Sequence, residues 1–499
     1  MKILTSAQIR EGDRYTIARE PVASEDLMER AASAFTEWFT GKFPRLHPVK
    51  IFCGIGNNGG DGLAIARLLH KKKYHAEAFI VRYAPAPSRD FLLNEKRLKK
   101  LPVKITEINS GKNFPFISPN DIVIDGLWGS GLNRPIEGFA ADLIHYLNRS
   151  PGIKVAIDIP SGLFADTLSE SVKFMADYTV SFQQPRLSFF FPENFQYVGE
   201  FIVKDIGIHP EYLRQAETSH YYITHDMVKE MVLPRKKFEH KGTYGHSLLI
   251  SGGYGKIGAA ALCAESCLRT GAGLVTAFIP RCGYAILQTA LPEVMVITDP
   301  QEEIISGIPD ISSYKAIGVG PGIGTQPQTA EAVQRLISSA DIPLVADADA
   351  LNIIAQNKVW LSELPKNSIL TPHPKEFERL FGASQDSYQR LKLQKEVSRL
   401  YNIIVILKQA HTVITNPEGK AWFNSTGNPG MATGGSGDVL TGILTGLLSQ
   451  GYSPLHSAIL GVYLHGLAGD IGADAHSQQA LTARDITHHL GDAFKKIMA

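Results

Sequence analysis

The sequence predicts an α/β protein built as two domains in tandem. Three observations lead there. Short apolar runs repeatedly enter glycine-rich or acidic turns and then segments of helical periodicity, the pattern of a parallel sheet covered by helices. A chain of 499 residues exceeds one ordinary core. Periodicity fades near residues 209–225, between two such blocks.

The chain opens with two helical patterns, Ser6–Arg19 and residues 24–39. In the second, Leu27, Ala31, Phe35 and Phe39 recur every fourth residue beside Met28 and Ala32, giving one buried stripe. Ser24 is placed as its N-cap. Strand Val49–Cys53 leads through Gly54-Ile55-Gly56-Asn57-Asn58-Gly59-Gly60-Asp61-Gly62 into a helix over 63–70. Residues 121–124 enter Asp125-Gly126-Leu127-Trp128-Gly129-Ser130-Gly131 and a helix from about 137. Residues 155–157 enter Asp158-Ile159-Pro160-Ser161-Gly162.

The second block begins near Tyr222. Strand His246–Ile250 precedes Ser251-Gly252-Gly253, a helix over 259–269 and strand Leu274–Ile279. Apolar runs at 316–319, 344–346, 369–370 and 403–407 enter Gly320-Pro321-Gly322, Asp347-Ala348-Asp349, Thr371-Pro372-His373 and Lys408-Gln409-Ala410-His411-Thr412. The expected division is 1–212, a linker at 213–224, and 225–499. No internal repeat or low-complexity tract is visible.

Hydrophobic residues are 44% and charged residues 20%, as in a soluble globular protein. A formal charge of +1 gives no global field toward nucleic acid or membrane. The N-terminus turns polar at once, without the apolar core of a secretory signal. The most apolar stretch, 439–467, is broken by Gln450, Ser453 and His456 and reads as buried helices, not a membrane span. Cys53, Cys263, Cys267 and Cys282 do not make a disulfide framework and read as core thiols. A reducing cytoplasm is the expected compartment.

In an open parallel sheet, ligands bind beyond the carboxyl ends of the strands. Three strand ends of the first block deliver Asn57, Asn58 and Asp61; Asp125; and Asp158 with Ser161. Gly54-Ile55-Gly56-Asn57-Asn58-Gly59 formally matches the dinucleotide fingerprint. The next strand, however, runs into Arg82 and lacks the acidic ribose partner, which disfavours a classical redox domain. Asn58, Asp125 and Ser161 offer hard oxygens suited to an alkali or alkaline-earth cation. Asp158, at a strand end beside a Pro-Ser-Gly turn, suits acid–base work. Each aspartate alone could equally cap a helix or turn.

Leu27-Met28-Glu29-Arg30-Ala31, the Asn57 to Gly62 motif, Asp125 to Leu132 and Asp158-Ile159-Pro160-Ser161-Gly162 together resemble the NAD(P)H-hydrate epimerases, over about residues 1–209. The resemblance implies a Rossmann-like three-layer α/β/α domain that inverts the hydroxyl-bearing carbon of a hydrated nicotinamide ring. It implies substrate binding by Asn57, Asn58, Gly59, Gly60, Asp61 and by Gly129, Ser130, Gly131, Leu132, Asn133, Arg134 and Pro135. It further implies K+ at Asn58, Asp125 and Ser161, and catalysis by Asp158, which also touches substrate. Arg186 stands where that family suggests a lysine; its charge is kept but not its geometry, and no role is assigned to it.

In the second block, Asn428-Pro429-Gly430-Met431-Ala432-Thr433-Gly434-Gly435-Ser436-Gly437-Asp438 precedes a helix whose apolar face is Val439, Leu440, Ile443, Leu444, Leu447 and Leu448. Gly442 and Gly446 leave room for close packing. Several backbone N–H groups at a helix N-terminus make an anion hole for a transferring phosphoryl group. Asp438 at its mouth suits a general base acting on a hydroxyl. The block has no P-loop, and Lys256 reads as a solvated loop charge.

The ordered set Lys241 to His246, Arg269 to Val275, Gly320 to Gly324, Asp347 to Asn352, Thr371 to Glu376 and Gly434 to Leu440 resembles the ribokinase-like ADP-dependent NAD(P)H-hydrate dehydratases. That resemblance implies Ala260, Gly322, His373 and Asp438 at the hydrated nucleotide. It implies Lys408, Gln409, Ala410, His411 and Thr412, with Asn428, Gly430, Thr433, Gly434, Gly435, Ser436 and Gly437, at the adenine nucleotide. ADP is expected over ATP, with Mg2+ on its phosphates. The expected partners are small molecules (hydrated NADH, hydrated NADPH and ADP) in a homo-oligomer, with neither nucleic acid nor membrane. The Gly-Ser-Gly-Asp motif alone would also fit a vitamin or sugar kinase with an accessory domain, or a non-catalytic nucleotide sensor.

Overall fold

The computed structural model describes residues 1–84, 86–111 and 114–499. The chain divides into two compact units, Lys2–His220 and Tyr221–Ala499, with Met1 grouping with the second.

The first unit holds strands β1 (Val49–Cys53), β2 (Ala76–Val81), β3 (Lys104–Ile108), β4 (Ile122–Gly126), β5 (Ile153–Ile157), β6 (Tyr178–Phe182) and β7 (Glu200–Lys204). They form one sheet in the order β3-β2-β1-β4-β5-β6-β7. Every pairing is parallel. The central strands are apolar along their length because helices cover both faces. Strand order reverses between β1 and β4, and a crevice opens there beyond their carboxyl ends.

The second unit holds β8 (His220–Tyr222), whose first residue belongs to the other unit, β9 (His246–Ile250), β10 (Leu274–Ile279), β11 (Met295–Thr298), β12 (Ala316–Val319), β13 (Leu344–Ala346), β14 (Ile369–Leu370), β15 (Ile404–Leu407), β16 (Val413–Thr415) and β17 (Ala421–Phe423). The sheet order is β11-β10-β9-β12-β13-β14-β15-β16-β17-β8. Pairing is parallel from β11 to β15, and β15-β16-β17 is an antiparallel meander. The reversal lies between β9 and β12.

Helix Ser6–Arg19 has the expected bounds, with Thr5 as N-cap and Gln8 completing its capping box. Ser24 is not an N-cap: Ala23 holds that position, and Asp26 accepts from the Ala23 N–H at 3.2 Å. The Ser24 hydroxyl instead donates to Asp90 Oδ2 at 2.6 Å, a long-range bond that local pattern cannot reveal. The helix expected over 63–70 runs from Asn57 to Lys71, so the glycine-rich turn is its first turn. Glycine allows this. A Cβ at Gly59 would lie 1.7 Å from the Gly54 carbonyl oxygen.

The apolar stretch 439–467 becomes the buried helix Ser436–Ser449 and most of helix Pro454–His476. Among the described residues no helix is long and apolar enough to cross a membrane. Helix Ser436–Ser449 lies tight against helix Ile257–Thr270. A Cβ on Gly442 would stand 2.1 Å from Cys263 O, and one on Gly446 2.8 Å from Cys267 O. Cys53, Cys263 and Cys267 are buried free thiols, and Cys282 is half-buried. Among the described residues no cluster of three or more histidine, cysteine or acidic side chains is placed to hold a metal.

Candidate active sites

The β1/β4 crevice of the first unit holds a cavity of about 610 Å³. Helix Asn57–Lys71 supplies Asn57, Asn58 and Asp61. The loop after β4 supplies Gly129, Ser130, Gly131, Leu132, Asn133 and Arg134, and Asp158 follows β5. Gly59, Gly60 and Pro135 are not on its wall; Gly59 packs against Gly54 and Gly60 against Met28. The Tyr83 and Trp128 rings, also on the wall, stack with centroids 4.2 Å apart.

Asp158 sits in the left-handed region at φ 65°, a conformation that costs a non-glycine residue about 1–2 kcal/mol. Its carboxylate pairs with the Arg186 guanidinium, and Phe182 N donates to Oδ1 at 3.3 Å. Arg186 is 2% exposed, and its Nε and Nη1 find no acceptor among the described residues. Asp13, on the first helix, shares this cavity. Burial, then the neighbouring Asp158 carboxylate, push Asp13 up to about 6, against the pull of Arg186. Burial and the carboxylates of Asp158, Asp13 and Asp90 raise Asp61 well above the usual range.

Asp125 and Ser161 lie behind the wall rather than on it. Ser161 donates its hydroxyl to Asp125 Oδ1 and its amide to Oδ2, both at 2.7 Å, and Leu127 N donates to Oδ1 at 3.1 Å. Trp128 N donates to Ser161 Oγ at 2.9 Å, and Asn58 Nδ2 donates to Trp128 O at 3.0 Å. Asn58, Asp125 and Ser161, far apart in sequence, therefore form one connected oxygen-rich cluster. Burial pushes Asp125 up to about 6, against these hydrogen bonds.

A second cavity, of about 470 Å³, opens at the β9/β12 reversal. Its wall includes Lys256, Ala259, Leu262, Gly322, Asp349, Gly434, Gly435 and Asp438. Gly435 is the N-cap of helix Ser436–Ser449 at φ 89°, and a Cβ there would meet Leu262 Cδ1 at 2.5 Å. Asp438 is in the first turn of that helix, not at the cap. Burial and the nearby Asp347 push it up to about 6, while Lys408 opposes. Lys408 Nζ donates to Asp347 Oδ1 at 2.6 Å, and Thr441 Oγ1 to Oδ2 at 2.9 Å. A Cβ at Gly437 would lie 3.4 Å from both Lys408 Nζ and Asp347 Oδ2, so the Lys408 strand end reaches beneath the glycine segment.

The rest of that strand-end turn closes on itself. Gln409 Nε2 donates to His411 O and Thr412 Oγ1 to Gln409 O, each at 3.1 Å, and Ala410 is exposed. Asn428 accepts from Gly430 N at 3.0 Å and donates to Asp470 at 2.9 Å. Thr433 is half-buried. Ser436 Oγ meets His465 Nε2 at 3.2 Å, and burial pushes His465 down to about 4. Ala260 is fully buried behind Gly252. His373 caps helix Pro374–Phe381, its Nδ1 accepting from Lys375 N at 3.2 Å and Glu376 N at 3.3 Å. Neither Ala260 nor His373 is on the cavity wall. Lys256 is solvated, 56% exposed, yet it stands on that wall with Nζ 3.5 Å from Asp349 Oδ2.

Sequence reasoning missed Asp13, Arg186, Tyr83, Asp347 and His465 as members of these sites. Asp347-Ala348-Asp349 was visible as a strand-end loop. The first helix gave no signal, because nothing in it places Asp13 against β5.

The fold and the two sites define a bifunctional α/β enzyme with a ribokinase-like second domain. A family model described as NAD(P)H-hydrate dehydratase matches residues 247–491, and one described as YjeF-related protein N-terminus matches residues 24–188. The bifunctional NAD(P)H-hydrate repair enzyme Nnr of Moorella thermoacetica is 34% identical over 98% of this chain and 96% of its own. That of Escherichia coli is 31% identical over 96% of this chain and 91% of its own. The solved ADP/ATP-dependent NAD(P)H-hydrate dehydratase of Bacillus subtilis, co-crystallised with ATP/Mg2+, is 31% identical with a TM-score of 0.50, covering 56% of this chain and 98% of its own. The chain belongs to the family of bifunctional NAD(P)H-hydrate repair enzymes.

Proposed function

We propose that the two sites repair hydrated NADH and NADPH in succession. The first domain interconverts the R and S hydrates. The second dehydrates the S hydrate at the expense of ADP, giving NAD(P)H, AMP and phosphate. The observation that carries the reading is Asp438, which shares one cavity wall with Gly322, Gly434 and Gly435 at a helix N-terminus.

Asp438 takes the ring hydroxyl proton, and the oxygen attacks the terminal phosphoryl of ADP. The amides around Gly435 to Asp438 receive the charge that develops on that phosphoryl group. Lys408, held by Asp347, adds a cation beneath the same segment. AMP departs, the ring nitrogen expels phosphate, and loss of a proton restores the dihydronicotinamide.

Asp349, on the same wall, offers hard oxygens to magnesium, which would neutralise phosphate charge when bound. In the first domain Asp125 is fully buried, with no cationic partner among the described residues, and Ser161, Asn58 and the Trp128 carbonyl add oxygens. That donor set fits K+, which would fix the loop after β4 against the Pro160-Ser161 turn. The reading includes a cytoplasmic homo-oligomer, tested by cell fractionation and light scattering.

The test is to supply each epimer with ADP and with ATP and follow absorbance of the reduced nicotinamide. Recovery from the S hydrate with ADP is expected. Accumulation of a stable phosphorylated alcohol would mean a kinase instead.

A further inference from the structure

We propose that Asp13 is the second proton-transfer residue of the epimerase site, acting with Asp158, and that Arg186 is the residue that positions Asp158. The inference rests on reading the first domain as an epimerase.

Inverting a carbon that bears both a hydroxyl and a ring nitrogen requires one of its bonds to break and re-form on the other face. Ring opening balances without any oxidant. A base takes the hydroxyl proton, and the O–H pair becomes the carbonyl π bond. The carbon–nitrogen bond breaks with its pair going to nitrogen, which accepts a proton from an acid. Rotation of the aldehyde and the reverse step close the ring with the hydroxyl on the opposite face. Two groups in opposite protonation states are needed.

Four carboxyls, Asp13, Asp61, Asp90 and Asp158, line the cavity with Arg186; Asp90 is engaged by the Ser24 hydroxyl at 2.6 Å. Arg186 forms an ion pair with Asp158, whereas among the described residues no salt bridge engages Asp13 or Asp61. Among the described residues no hydrogen bond is donated to the Asp13 or Asp61 carboxyl. Burial and the carboxylates of Asp158, Asp13 and Asp90 raise Asp61 well above the usual carboxylate range. Asp13 titrates where a proton can both leave and return.

Arg186 also points to a ligand. It is buried, it lines the cavity, and two of its nitrogens lack an acceptor among the described residues. A substrate oxygen, including the carbonyl formed on ring opening, would satisfy them. Asp13 is held on a fixed element. Gly12 packs on Tyr212, whose hydroxyl donates to Gln8 O at 2.5 Å, and His209 N donates to Thr16 Oγ1 at 3.0 Å. The charged and titratable groups around Asp13 are Asp61, Asp158, Arg186 and Tyr212, with Arg10, Tyr83, Asp90 and Arg134 elsewhere on the cavity wall.

The experiment uses the full chain with the R hydrate and ADP, comparing wild type, D13N, D13E and D158N across pH. D13N is expected to lower the accelerated conversion of the R hydrate about 100-fold and to lose one limb of the pH profile. D13E recovers part of both. Binding of the R hydrate, measured at equilibrium, stays close to wild type in D13N. An unchanged rate and pH profile in D13N overturns the proposal, as does loss of binding in step with rate. If D158N retains full acceleration, the assignment of the base fails. If wild type gives no acceleration while still dehydrating the S hydrate, the epimerase reading itself falls, and this proposal with it.

Discussion

Asp438 and Asp125 are both carboxyls pushed up to about 6 by burial, yet their surroundings suit them to different tasks. Asp438 faces a cavity with a lysine near it, so it can exchange a proton with a ligand. As a base it must be ionised, so dehydration is expected to rise with pH through about 6 and then level off. Asp438→Asn should lower ADP-dependent dehydration by about 100-fold to 10,000-fold, read as recovered nicotinamide absorbance. Lys408 opposes the upward shift, so Lys408→Met should move the acid limb to higher pH.

Asp125 is enclosed and binds its proton more tightly folded than unfolded. Its favourable term is complete below the ordinary carboxylate range and is lost as pH rises through about 6. The loss is on the order of 3 kcal/mol. On the proposed reading, K+ held beside Asp125 would offset it. Adding K+ should therefore raise Tm more at pH 7.5 than at pH 5, and Asp125→Ala should remove the difference, with tetramethylammonium as the ionic-strength control.

At the scale of elements, the second site depends on how closely two helices approach. Gly442 and Gly446 were legible as small residues on an apolar helix, and their use is now explicit: backbone carbonyls of helix Ile257–Thr270 fill the space. Gly442→Ala would push these helices apart and should cost about 1–3 kcal/mol, measured by urea unfolding. Since Leu262 of the facing helix packs at Gly435, dehydratase activity should fall with it. Element types and most strand positions followed from apolar runs and turns. Element ends did so less well. Ser24 was misread because its hydroxyl bonds Asp90, 66 residues away. The helix after β1 began six residues earlier than its periodicity, because glycines permit helical backbone where no apolar stripe marks it.

For the whole molecule, each sheet reverses its strand order once beside a cavity, between β1 and β4 and between β9 and β12. Each unit holds its own cavity, so the two activities are expected to be separable. Asp158→Ala should abolish accelerated epimerisation while leaving ADP-dependent dehydration of the S hydrate intact. Loss of both in that variant would contradict independent sites.

The two α/β blocks, the strand-end loops that carry chemistry and the ordered motifs that mark the family are all legible along the chain. These are local patterns, in which neighbours along the chain supply the signal. Which residues share a wall follows from the packed fold. It set Asp13 of the first helix near Asp158, paired Arg186 with that carboxylate, put Asp347 and Lys408 under the Asn428 to Asp438 segment, and left Ala260 and His373 off the cavity wall. The reason is physical. Hydrogen bonds, ion pairs and burial act through space, and the sheet order that brings these residues together is fixed by packing, not by proximity in sequence.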